Sequence, residues 1–215
     1  MTKKQKKDKK PPPKINWQTP HSRIRPIQIL GPRHYLQHAR EYPIMGCWVM
    51  DGWDEEGGIT PVVVARQQDP DKVIFAVCLV DIYCLGIKDA YANADISLSK
   101  FQRELPKMCS HKPKACSVEL AHEIVYGGKE YAARYGFQPH RDFTAQMCDK
   151  VLDPPEAHPR SHNVTFGKDG KPFYISGPYD DERRINSVIN TLMRTAGEGN
   201  FDYLIGVGPP DFFDE

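Results

Sequence analysis

The spacing of apolar positions changes along the chain, and the change predicts a sheet followed by helices. Met45 to Trp53 (MGCWVMDGW), Thr60 to Ala65 (TPVVVA) and Val73 to Cys84 are β-branched and aromatic runs separated by breaks rich in charge, glycine and proline. Such runs read as an antiparallel meander of three strands. Asp54 to Gly58 supplies the first turn, and Gln68 to Lys72, around Asp69-Pro70-Asp71, supplies the second. The third run is apolar on both alternating faces. Cys78, Val80, Ile82 and Cys84 share one face, while Val77, Leu79, Asp81 and Tyr83 share the other, as expected for a central strand covered on both sides. Gly86 ends it, and the polar stretch Lys88 to Ser97 is expected to carry the chain across one end of the sheet.

Helical spacing then takes over. Ser99 and Gln102 form a capping-box pattern for a short helix limited by Pro106. A longer helix runs from an N-cap at Ser117 to Gly136, with Ala121, Ile124, Val125, Gly128, Ala132 and Tyr135 facing the core. Gly127-Gly128 within it costs helix stability, which predicts close contact with the sheet. Val164 to Phe166 and Phe173 to Ser176 read as a hairpin across Asp169-Gly170. A last helix capped by Asp180 or Asp181 presents Ile185, Val188, Ile189, Leu192 and Ala196, and Phe201 to Val207 reads as a final strand. Strands and helices come in blocks, so the fold class is α+β: an antiparallel sheet, made of the meander plus a later hairpin and C-terminal strand, packed by two main helices.

At 215 residues with 40% hydrophobic content, the chain supports one substantial core. The expected division is a basic arm over 1–14, a proline-rich lead-in with a short helix over 15–43, one α+β domain over 44–207, and a tail over 208–215. No apolar run is long enough to span a bilayer and the N-terminus lacks a secretory pattern, so a cytoplasmic protein without membrane contact is expected. Six scattered cysteines suggest reduced thiols.

Charge is divided unevenly. The first fourteen residues hold seven lysines and one aspartate, so the rest of the chain has 22 basic and 27 acidic residues, about −5. Lys3, Lys4, Lys6, Lys7, Lys9 and Lys10 would attract nucleic acid or a ribonucleoprotein through counterion release, while the acidic body could contact another protein. A solubilising tail explains the same composition.

Candidate chemistry centres on Asp81, a carboxylate in an apolar run that needs partners if it is buried. With His122 and His140 it forms a candidate catalytic group. Asp81, Glu119, His122, His140 and Asp142 form a candidate divalent-metal set, with Asp89 as an alternative to Asp81 at the sheet end. That set implies a metal-dependent phosphodiesterase or nuclease. Against it stands a solvated helix face carrying Glu119, His122, Glu123 and Tyr126, and a hydrogen-bonded, structural Asp81. Cys109, His111 and Cys116, with Cys148, could hold zinc, although no familiar knuckle spacing is present. Phosphate-cradling glycine motifs and a nucleophile elbow are absent.

The segments VDIYCLGIKDAY, ELAHEIVYGGKEYAARYGFQPHRDF and GKPFYISGPYDD together resemble a family of uncharacterised bacterial proteins over roughly residues 44 to 207. The resemblance implies a shared folding unit and carries no activity.

Overall fold

The computed structural model describes residues 30–54 and 57–206. The basic arm and its lysines, most of the lead-in, Glu55, Glu56 and residues 207–215 lie outside them. Five antiparallel strands form the main sheet: β1 (Ile44–Met50), β2 (Ile59–Asp69), β3 (Lys72–Asp81), β4 (Gly86–Ser97) and β5 (Pro113–Cys116), in the order β4-β3-β2-β1-β5. The chain is α+β, as the block pattern predicts.

The fourth strand replaces the expected crossing. β3 ends at Asp81 rather than Cys84, the chain turns over residues 82–85, and β4 returns along β3 as a sheet edge. Its sequence carries a period-two pattern, but in alanines. Ala90 and Ala94 are buried and Ala92 is half-buried, while Asp89, Tyr91, Asn93 and Asp95 face outward. Alanine contributes little apolar area per residue, so the alternation is easily read as a polar loop.

Both faces of the sheet are covered. Ile74, Ala76, Cys78 and Val80 of β3 face a core shared with α3 (Val118–Arg134), α4 (Asp142–Ala145) and α5 (Cys148–Val151). Val73, Phe75 and Val77 face α2 (Leu98–Met108) through Phe101. Thus the glycine-bearing helix lies across the even-numbered face, opposite to Asp81's odd-numbered neighbours. The close approach at its glycines is real: a Cβ on Gly128 would stand 2.8 Å from Val80 Cγ1, and one on Gly86 (φ +66°) 2.8 Å from the Gly128 carbonyl oxygen.

The helix ends follow side-chain capping. Ser117 accepts from the Leu120 amide at 3.1 Å and Asp181 from the Arg184 amide at 2.7 Å. In α2 the cap is Ser97 rather than Ser99, and Pro106 lies inside the helix. A short α1 (Pro32–Gln37) and a 3₁₀ turn (Ala39–Glu41) precede β1.

The expected C-terminal hairpin is only partly formed. Asp169 and Gly170, both at positive φ, make the tight turn and join Lys168 to Lys171, but residues 164–166 form no strand. Instead β6 (Phe173–Ile175) pairs in parallel with β7 (Asp202–Leu204), and α6 (Glu182–Thr195) makes the crossover. Tyr174, Val188, Leu192 and Phe201 of this unit enclose Cys84 and Leu85 of the β3–β4 turn. Among the described residues no helix is long and apolar enough to cross a membrane.

Candidate metal centre

Asp81 braces a turn. Its carboxylate is 4% exposed and accepts three backbone amides: Tyr83 at 2.9 Å and Cys84 at 3.0 Å on Oδ1, and Leu85 at 3.1 Å on Oδ2. These are the amides that reversal of the chain after β3 leaves without ladder partners. Burial pushes the carboxyl up, against the pull of those amides and of Lys88. The partners come from the turn itself, so Asp81 does not join the candidate histidines.

His122 is also committed elsewhere. Glu119 stands half-buried in the first turn of α3, but His122, Glu123 and Tyr126 are buried, which corrects the expectation of a solvated face. The chain after α5 folds back over them, and its backbone supplies their partners. His122 Nε2 lies 2.9 Å and Tyr126 Oη 3.0 Å from the Asp153 carbonyl oxygen, while Glu123 accepts the His162 and Val164 amides at 2.9 and 2.8 Å. Asp153 itself bonds Arg66 at 2.5 Å and His158 at 2.8 Å. Arg66 is 3% exposed, and its guanidinium also donates to the Val151 and Tyr42 carbonyls. Burial holds His122 below the usual imidazole range, and a neutral ring donating from Nε2 fits the carbonyl it faces. This polar layer pins residues 151–164 across α3; its members have structural partners.

The other two residues of the sequence-derived metal set do converge, with Asp89 in place of Asp81. After Gly136 (φ +84°) ends α3, the chain runs back along the free edge of β4, where the His140 amide donates to the Ile87 carbonyl at 2.8 Å. Buried Phe143 anchors the following turn in the core. His140 Nδ1 then lies 3.7 Å from both Asp89 Oδ1 and Asp142 Oδ2. One ligand atom from each of Asp89, His140 and Asp142 falls within 4.8 Å of the others, the one such group of three among the described residues. Asp89 is exposed and the other two are half-buried, so the site opens to solvent. Exposed Arg141 places Nε 3.8 Å from Asp142 Oδ1, an alternative counter-charge when no cation is bound.

Asp89 reaches this edge through a bulge. Leu79 faces Asp89 and Val80 faces Ile87, so Lys88 is an extra residue on β4. Lys88 consequently lines a different feature, an open cleft of about 360 Å³ between the end of α3 and the start of α6, which His140 also lines.

Cys109, His111, Cys116 and Cys148 do not gather. Cys109 belongs to the α2-facing core, whereas Cys116 and Cys148 belong to the α3-facing one, with the sheet between them. Burial pushes the Cys47 thiol up to about 12 and those of Cys109 and Cys116 to about 11, so these thiols stay protonated and poorly nucleophilic at neutral pH.

No protein-family model, curated protein or solved structure matches the chain.

Proposed function

We propose that the protein is a divalent-metal-dependent phosphodiesterase, with the cation held by Asp89, His140 and Asp142. The observation carrying this reading is the convergence of their ligand atoms within 4.8 Å at a solvent-open sheet edge. Two carboxylates and one imidazole suit Mn²⁺ or Zn²⁺, and three protein ligands leave room for water and substrate. A bound cation would supply acidified water and charge stabilisation at a phosphoryl oxygen. The lysines of the first fourteen residues favour a polyanionic substrate. The test is calorimetric titration of the full chain with MnCl₂, followed by assay with bis(p-nitrophenyl) phosphate. Wild type should bind one equivalent and release nitrophenol, and the His140→Ala, Asp142→Asn double variant should do neither. An unchanged binding isotherm in that variant would remove the site.

The charge division supports a second reading, an interaction protein whose arm engages nucleic acid or a ribonucleoprotein. It predicts salt-sensitive RNA binding that disappears when Lys3, Lys4, Lys6, Lys7, Lys9 and Lys10 are replaced by glutamine, with no metal required. Retained binding in that variant would exclude the arm as the contact.

A further inference from the structure

We propose that the cleft beside the metal centre is the subsite for the substrate's phosphoryl group, gripped by Lys88 and Arg184. This deepens the phosphodiesterase reading and rests on it for the substrate, but the subsite itself is built from other side chains. The cleft encloses about 360 Å³ and is lined by Lys88, Phe137, Gln138, His140, Asp180 and Arg184, among others. That volume accepts one small ligand or one nucleotide-sized unit of a larger one.

The cations are the informative groups. Neither Lys88 nor Arg184 makes a side-chain hydrogen bond or close ion pair among the described residues, although both face the same hollow. Between them they offer three ammonium and five guanidinium donors. The acid that lines the cleft with them, Asp180, already accepts the Tyr174 hydroxyl and the Gly177 amide, each at 2.8 Å. Lys88 and Arg184 act on Asp180 at longer range and help to hold its carboxyl below the usual carboxylate range; Lys88 also offsets buried Asp81. Apart from His140, the charged side chains lining the cleft are Lys88 and Arg184 against Asp180, two positive and one negative.

An oxyanion with several acceptors on a tetrahedral centre fits this arrangement. The guanidinium fork can take two oxygens and the ammonium a third. His140 links the two sites, because it lines the cleft and is one of the three residues of the metal group, with Nδ1 3.7 Å from both carboxylates. The β4 bulge makes the division of labour possible, sending Lys88 to the cleft and Asp89 to the metal centre from consecutive positions.

The deciding experiment titrates the full-length, metal-free protein with inorganic phosphate, observed by calorimetry and by backbone amide NMR. Phosphate should shift the Gly136, Phe137 and Gln138 amides, and its dissociation constant should rise at least tenfold in Arg184→Gln. Arg184 is exposed in the first turn of α6, so that change leaves the core intact. Lys88→Gln should weaken binding similarly, but it also withdraws charge from Asp81 and Asp180, so Arg184→Gln decides. Unchanged phosphate affinity in Arg184→Gln, no shift at residues 136–138, or equally tight binding of acetate would overturn the subsite. A parallel MnCl₂ titration separates the two readings. Manganese uptake without phosphate binding here would sink the subsite alone, and phosphate binding without manganese uptake would sink the metal centre alone.

Discussion

Replacing Asp81 by asparagine should weaken the fold and spare the site. Asparagine keeps one oxygen for the Tyr83 and Cys84 amides, but its amino group would face the Leu85 amide that Oδ2 now accepts at 3.1 Å. One bond is lost and two donors are left facing each other in a position that is 4% exposed, at a cost of about 1–3 kcal/mol. Removing a buried charge offsets part of this, so the lower half of that range is expected. Alanine removes all three acceptors and should cost about 3 kcal/mol, at roughly 1 kcal/mol per bond. Urea unfolding at pH 7 reads the difference directly. With a slope of about 2 kcal/mol/M, the asparagine variant should unfold about 0.5–1 M earlier than wild type and the alanine variant earlier still. MnCl₂ binding by the folded variants should match wild type. A wild-type midpoint in both variants, or an asparagine variant as costly as alanine, would refute the role of Asp81 as a turn brace. Lost metal binding at an unchanged midpoint would put Asp81 back in the chemistry.

Other perturbations address the packing and the polar layer over α3. Gly86→Ala should destabilise more than Gly128→Ala, because the added methyl meets the Gly128 carbonyl at positive φ in the first case and a side-chain methyl of Val80, without backbone strain, in the second. Each should cost about 1–3 kcal/mol by thermal or urea unfolding, and the reverse order would contradict the packing described. Glu123→Gln removes one of two carboxylate acceptors from the His162 and Val164 amides, so hydrogen exchange should accelerate at one of them while amides in β2 and β3 stay protected. Burial depresses the His122 value below 6.5, so in the window beneath 6.5 the unfolded chain binds the proton more readily than the folded one. Stability should therefore fall as pH drops from 7.5 to 5.5, and His122→Gln should flatten that slope; an identical slope in the variant would show that His122 does not set it.

The cleanest agreements between sequence and structure are local. Ser117 and Gly136 bound α3 because a hydroxyl acceptor and a residue tolerant of positive φ do the same work wherever a helix starts and stops. The Asp169-Gly170 turn and the first three strands follow from similar short-range rules. β4 was legible only in its alternating alanines, and the parallel pairing of β6 with β7 depends on residues about thirty positions apart that no short pattern links.

At the candidate site, His140 and Asp142 were visible as chemistry-bearing types two positions apart, and Asp89 as an acid near a strand end. Their convergence requires β4 to pair as a sheet edge, which its alternating alanines signal only weakly. Composition and spacing by themselves determined the α+β class, the main helix with its close glycines, and the separation of basic arm from acidic body. Only the tertiary structure decided which polar groups are committed. Asp81 binds turn amides, His122 and Glu123 meet irregular chain about thirty to forty residues away, and Asp89, His140 and Asp142 face one another at an open edge. The physical reason is that a side chain's ability to ligate or react depends on which partners already satisfy it, and those partners come from elsewhere in the chain.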